Sequence, residues 1–414
     1  MKPVSFPDEF VWPDYAGGSI ANVAPTAAAL LNIPFLGLPP LRESYWNPLG
    51  KDVRRVVLFT LDALGWNLIQ QEQSALQSLL QQARTAAKIT SVFPSTTVNA
   101  LSSIWTGAGP AQHGLVALRM LMPDQAVLGN MLSWGANFTS AIDTLVQAGI
   151  EPEKFLAVPG VAEQFAAADI PTYDFKYLAF VDSSLSKMHG RGAKQRYGIH
   201  TMTDMVVQVR QLLEAKPQER MFISAYWHEV DNLSHYRGPH HETTATEVRS
   251  ILRLIEEELL GKTNAAARAH TAVFIIADHG QVITPPSQFI HLGDHPELQK
   301  MLFMRPAGEP RVTNFYARHG CVDDLLAYLN TNLNQAVWAV RAEEALEMGL
   351  YGPRPYAPEA AHRLGDVIAM TREGYTLFPA DEKKKATKMI GRHGGLTPAE
   401  MEAPFLAFRL DDLS

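Results

Sequence analysis

Short, almost wholly apolar runs alternate with polar stretches of helical period along this chain. Arg55–Leu61 (RVVLFTL), Arg220–Trp227 (RMFISAYW) and Thr271–Ala277 (TAVFIIA) are near-continuous apolar runs of strand length. That is the pattern of strands buried on both faces of a parallel sheet. Helical patterns cover Asn22–Leu31, Trp66–Ala83, Phe138–Ala148, Val161–Ala168, Thr201–Ala215 and Thr244–Leu260, with further strands expected at Lys88–Phe93, Lys154–Ala157, Leu178–Phe180 and Pro404–Arg409. The alternation predicts an α/β fold with a doubly wound, mostly parallel central sheet flanked by helices. The Gly/Lys/Arg-rich stretch Ser186–Tyr197 reads as a surface loop.

Residues 296–388 read differently. They are rich in charge and proline, with strands expected at Arg311–Ala317 and Ala336–Val340 and helices at Asp323–Asn330 and Glu343–Met348. The expectation is a small α+β lobe, 296–388, inserted into a core made of 1–295 and 389–414.

The polar residues that close the apolar runs carry the chemistry. Asp62 ends the first, Asp231 and His235 follow the second four residues apart, and Asp278-His279 end the third. Open α/β sheets place ligands at the carboxyl ends of their strands. Residues four apart on one helical turn face the same way, as two ligands of one ion must. In VFPSTTVNALSSIWTGAGPAQHG an apolar run stops at proline and three hydroxyls before a helical pattern begins. Ser95, Thr96 and Thr97 therefore stand at a helix N-terminus, where free N–H groups and the helix dipole attract an anion. Taken singly, a helix cap or a turn aspartate explains each of these residues; their recurrence at successive strand ends points to a site. His393, in IGRHGG just before the last strand, completes the set.

Composition narrows the chemistry. The 414 residues are 46% hydrophobic and 19% charged, with net charge −7 and one cysteine, Cys321. One cysteine excludes an internal disulfide and a thiolate metal cluster, so a metal here must be held by His and carboxylates. Three carboxylates crowded at one sheet edge would repel one another unless cations sat among them. Oxygen and imidazole donors suit a pair of divalent ions, zinc first and manganese as its rival. The one lysine run, Lys383–Lys385, reads as a solvated helix face, so no nucleic-acid polymer is expected as partner. No signal-peptide pattern and no apolar run long enough to span a bilayer is present, which makes a cytoplasmic location the expectation.

Collected in order, Thr97 within FPSTT, the trailing TGAGPAQHGL, VDNLSH, ADHG and the late RHGG resemble the metal-dependent alkaline phosphatase superfamily, in particular its phosphodiesterase/nucleotide pyrophosphatase branch. The resemblance covers about residues 52–120, 218–284 and 388–410. It implies that Asp62, Thr97, Asp278 and His279 hold one metal and Asp231, His235 and His393 the other, with Thr97 as nucleophile. A threonine alkoxide made accessible by a divalent cation would attack phosphorus in line with the leaving oxygen, and water would then open the phosphothreonine. The substrate implied is a small phosphate ester, a diester or nucleotide pyrophosphate first. The branch has an asparagine soon after its HG motif that holds a phosphoryl oxygen, and this chain has Leu118 there. Arg119 or Asn99 would be the replacement, and an Arg would favour a more anionic group, as in a monoester or phosphonate. A relative that binds metal without catalysis is the reading from another class. Among the other histidines, His113 is expected to fix a turn, His240 and His241 to be exposed, and His291 and His295 to be outside candidates for the cleft wall, while Tyr226 and Trp227 are expected in the core.

Overall fold

The computed structural model describes residues 6–137, 139, 141–382 and 388–413. Seven strands form the central sheet: β1 (Arg55–Leu61), β2 (Thr85–Thr90), β3 (Thr172–Tyr177), β4 (Gln195–Ile199), β5 (Met221–Trp227), β6 (Thr271–Ile276) and β7 (Glu402–Arg409). Their order is β2-β7-β6-β1-β5-β3-β4. β1 pairs in parallel with β5 and β6, and β3 with β5 and β4. Only β7 runs antiparallel, between β2 and β6.

The apolar runs explain why the centre of the sheet forms. Every residue of β1, β5 and β6 is buried. At roughly 1.5–3 kcal/mol for each large aliphatic or aromatic side chain removed from water, these three strands supply much of the core's driving force. Helices Met202–Ala215 and Glu242–Leu254 carry amphipathic faces and pack in the same layers. The register is in step: Arg55 lies opposite Met221 and Thr271, and Leu61 opposite Trp227. The chain therefore leaves β1, β5 and β6 at one level, on one edge.

Several local expectations do not hold. The helix expected over Trp66–Ala83 is two, Trp66–Gln71 and Gln77–Gln82, with Glu72 closing the first. The helix expected over Phe138–Ala148 is reduced to Thr144–Gln147, and Phe138 lies outside the described residues. Lys154–Ala157 forms no strand; Pro152–Lys154 is a single 3-10 turn. Leu178–Phe180 is a turn following β3, a strand whose Asp174 and Lys176 disguise it by pairing with each other inside the protein, Nζ to Oδ2 3.1 Å. The Ser186–Tyr197 stretch is a turn only at 190–194; Ser186–His189 close the helix Ser184–His189 and Gln195–Tyr197 open edge strand β4. A three-stranded sheet, Arg119–Met122, Val127–Asn130 and Gly135–Ala136, carries no apolar run long enough to announce it. Lys383–Lys385 lie outside the described residues.

Between Ala307 and Thr371 four antiparallel strands form a second sheet, in the order Ala307–Glu309, Val312–Phe315, Val367–Thr371, Val337–Arg341. Phe315, Leu325, Leu329 and Val337 make an apolar cluster with the helix Val322–Asn332 on one side. Val312, Val340, Ile368 and Met370 turn the other way and join the main core. A wholly buried ion pair ties this sheet to the C-terminal segment: Arg311 Nε and Nη2 each lie 2.8 Å from a Glu400 carboxylate oxygen.

Candidate active site

The in-step strand ends deliver the carboxylates together. Asp62, directly after β1, is buried and accepts a hydrogen bond from the Tyr226 hydroxyl. Asp278, two residues beyond β6, accepts the backbone N–H groups of Ala63 (3.1 Å) and His279 (2.9 Å) on Oδ1. After β5 the chain turns into helix Glu229–Arg237, whose first and second turns carry Asp231 and His235. The Gln281 amide donates to Asp231 Oδ1 at 2.5 Å and to its carbonyl at 3.1 Å. His393 follows the two-residue strand Gly391–Arg392.

These residues form two groups of ligand atoms, Asp62, Asp278 and His279 in one and Asp231, His235 and His393 in the other, each within 4.8 Å. His393 Nε2 lies 3.6 Å and His235 Nε2 3.3 Å from Asp231 carboxylate oxygens. In the other group His279 Nε2 is 3.3 Å from Asp278 Oδ2 and 3.5 Å from Asp62 Oδ1. The rings of His279 and His393 stack at 3.8 Å, which places the two groups side by side. Thr97, the first residue of helix Thr97–Ile104, has its Oγ1 3.2 Å from His279 Nε2.

The donor set fits divalent cations. Each histidine donates its Nδ1–H to a backbone carbonyl: His235 to Gly391 (2.8 Å), His279 to Gly280 (3.1 Å), His393 to Ser95 (3.1 Å). That bond fixes the tautomer and leaves each Nε2 lone pair facing the carboxylates, as a metal ligand requires. Asp62 Oδ1 and Asp278 Oδ2 are buried without a hydrogen-bond donor among the described residues. Buried carboxylate oxygens in that state are costly, and a cation satisfies them.

Electrostatics say the same. Burial, with the neighbouring carboxylates, pushes Asp62 well above the usual carboxylate range and Asp278 up to about 6. Burial would also raise Asp231, but His235 and His393 outweigh it and hold Asp231 low. Desolvation lowers His279 to about 4 and His393 to about 3, so both imidazoles are neutral at physiological pH. Without an ion, burial keeps protons on the Asp62/Asp278 pair, and an entering cation must displace them. Affinity for the first ion is therefore expected to rise with pH, by about tenfold per unit for each proton displaced, including the range below pH 6 where Asp278 is still protonated, as titration with a metallochromic chelator will read.

Two cavities meet at Thr97. One, of about 490 Å³, is lined by Thr96, Thr97, Leu118, Arg119, Glu309 and His393 among others; the second, of about 460 Å³, by Asp62, Thr97, Lys176, His189, Tyr226 and Asp231 among others. Arg119 reaches the first cavity, with its guanidinium 3.5 Å from Glu382. Asn99 does not reach either: it is fully buried and its amide donates to the Leu115 carbonyl at 3.1 Å. His113 is buried against Ser103, His240 is paired with Gln71, and His241 accepts from Thr243 N at a helix start. His291 packs on Phe378 and His295 on Tyr328, and neither lines either cavity. Tyr226 is a site residue as well as a core one, because its hydroxyl faces Asp62. Gln281 and Glu309 went unnoticed in the sequence. Gln281 sits three residues past the ADHG aspartate and signals nothing alone; Glu309 lies in a stretch that matches no motif.

Gly394 takes φ +122°, and a Cβ there would come within 2.5 Å of the Glu309 carboxyl. Gly394→Ala is expected to cost about 1–3 kcal/mol from the strained backbone and the displaced carboxyl, read by urea denaturation.

A mostly parallel sheet with paired Asp/His groups at its carboxyl edge is where an open α/β fold binds its ligand, and the family match makes the protein a metal-dependent hydrolase of phosphoric esters. The chain belongs to the type I phosphodiesterase / nucleotide pyrophosphatase family, which matches residues 56–396. Its fold is that of murine ectonucleotide pyrophosphatase / phosphodiesterase 5, with 18% identity, TM-score 0.64, and 85% of this chain and 87% of the other covered. The phosphonoacetate hydrolase of Sinorhizobium meliloti 1021, solved with phosphonoformate, is similar at 17% identity and TM-score 0.63, covering 86% of this chain and 90% of the other. No curated protein is a significant match in sequence. No helix among the described residues is long and apolar enough to cross a membrane.

Proposed function

We propose that this protein is a two-metal phosphodiesterase or nucleotide pyrophosphatase with Thr97 as its nucleophile. The observation that carries the reading is the convergence of Asp62, Asp278 and His279, and of Asp231, His235 and His393, beside one threonine oxygen. The first three, with Thr97, hold one ion and the second three the other; zinc suits the donors best, manganese next. Bound there, the ions neutralise the carboxylates and lend Lewis acidity to the nucleophile and to the leaving oxygen. Thr97 Oγ1 attacks phosphorus, the ester P–O bond breaks, and a phosphothreonine forms that water hydrolyses. The free N–H groups at the start of helix Thr97–Ile104 would be available to hydrogen-bond the phosphoryl oxygens. An inactive threonine-to-alanine variant of the murine relative was solved with AMP, which favours a nucleotide-like substrate and a threonine role here.

The neighbouring phosphonate hydrolase, with Arg119 at the first cavity, supports a second reading on the same residues, a phosphonate or monoester hydrolase. The phosphatase-like catalytic core is 1–295 with 389–414, and residues 296–388 act as an inserted cap beside the first cavity. Metal-loaded protein is expected to hold two ions per chain and to hydrolyse bis-p-nitrophenyl phosphate faster than p-nitrophenyl phosphate. Turnover of neither sinks the proposal, and the reverse preference transfers it to the second reading.

A further inference from the structure

Gln281 stands where the two groups of ligands are tied together. It lies just past Asp278 and His279 and just before the strand Val282–Ile283, which pairs with Gly391–Arg392, the strand that leads into His393. Its side chain is buried, 2% exposed, and the amide nitrogen donates to Asp231 Oδ1 at 2.5 Å and to the Asp231 carbonyl at 3.1 Å. Gly391, whose carbonyl orients His235, packs on the far side of the amide, where a Cβ would collide with Oε1.

An amide is a costly way to fill this space. Oε1 is buried and has no hydrogen-bond partner among the described residues, a state that destabilises a fold. A methionine of similar shape would remove that cost. What an apolar side chain could not do is hold the Asp231 carboxylate.

That carboxylate has a choice to make. Oδ2 lies 3.3 Å from His235 Nε2 and Oδ1 3.6 Å from His393 Nε2, so both oxygens stand close to the imidazoles that would share an ion with them. With one oxygen the group offers three donors, the number that leaves a catalytic ion a position for substrate; with both it offers four. Oδ1 is the oxygen that the Gln281 amide engages.

We propose that Gln281 is a positioning residue that holds Asp231 to a single donor oxygen and so keeps one coordination position free for substrate on the ion of Asp231, His235 and His393. The inference rests on the two-ion reading above. Gln281 acts through Asp231 and does not touch the substrate.

The test compares unmodified, Gln281→Met and Gln281→Ala proteins loaded with Co²⁺, using calorimetry for the metal and azide as the probe of a free position. Azide bound to Co²⁺ gives a charge-transfer band, and the group completed by Thr97 already has four donors, so the band reports on the other ion. Both variants are expected to bind two ions with affinity within about threefold of the unmodified protein, while azide affinity and kcat on bis-p-nitrophenyl phosphate each fall about tenfold. A role in structure alone would not move azide binding while leaving metal affinity in place. Azide bound by the variants as tightly as by the unmodified protein overturns the inference. Loss of the second ion from the variants overturns it too, because Gln281 would then brace the site without restricting its donors. If Gln281→Ala does not fold, the Met variant decides by the same criterion. An unmodified protein that binds two ions but no azide also overturns the inference, whereas one that binds fewer than two refutes the two-ion reading and the inference with it.

Discussion

Thr97→Ala is expected to abolish ester hydrolysis, by about 10⁴-fold or more in kcat, with the fold and most of the bound metal intact. The size follows from removing a group that forms a bond to the substrate, a loss that binding and electrostatics cannot make up. The fold survives because Thr97 is half-buried at the first position of its helix, where Thr96 and not Thr97 occupies the cap. The metal survives because each ligand group keeps three side chains without it. Thr97→Ser retains a hydroxyl and should keep activity within about 100-fold. Steady-state kinetics with elemental analysis of the same samples checks all three statements. A Thr97→Ala protein that turns over at the unmodified rate removes the nucleophile from the proposal.

The largest effect on stability is expected from Glu400→Ala, about 3–5 kcal/mol, because it leaves Arg311 charged and unpaired in the interior. Glu400 does more than neutralise Arg311. It accepts the Gly395 N–H at 2.9 Å and the Thr397 hydroxyl at 2.6 Å, and so holds the loop that carries His393. Loss of that brace should weaken the Asp231/His235/His393 ion before the other, so metal content is expected to fall from two ions towards one. Burial would raise Glu400, but Arg311 and its hydrogen bonds overcome it and hold the carboxyl below the ordinary range. The sign follows: the contribution of Glu400 is complete above about pH 4.5 and is lost as pH falls through the lowered folded value. Urea unfolding at pH 7 and pH 4, with metal analysis, reads both effects. An unchanged midpoint at pH 7 would show that the ion pair contributes nothing net.

The central sheet was legible where burial on both faces leaves a strand no polar positions, as in β1, β5 and β6, and the ligands were legible because each stands at the end of such a run. Asp62, Asp231, His235, Asp278, His279 and His393 lie close together for that reason. β3 was hidden because Asp174 and Lys176 neutralise each other, so its polar residues are buried without signalling exposure. Lys154–Ala157 and Leu178–Phe180 were apolar enough for strands but too short to compete with the turns around them. Glu309 was illegible for another reason. Its place in the cavity depends on Gly394, 85 residues away in sequence, having no side chain. Asn99 shows the converse: the right residue type two residues past Thr97, spent on a backbone carbonyl of its own neighbourhood.

The matched starts and finishes of β1, β5 and β6 divide the molecule into two ends with different tolerance for change. At the end where these strands begin, extra residues in a connection such as Gly261–Asn264 lengthen a surface excursion and leave every ligand where it was. At the opposite end a single inserted residue between Trp227 and Asp231 would turn the helix about 100° and swing both its ligands out of reach. Natural variation in loop length, and any engineered fusion, should therefore accumulate on the far side of the sheet from the chemistry.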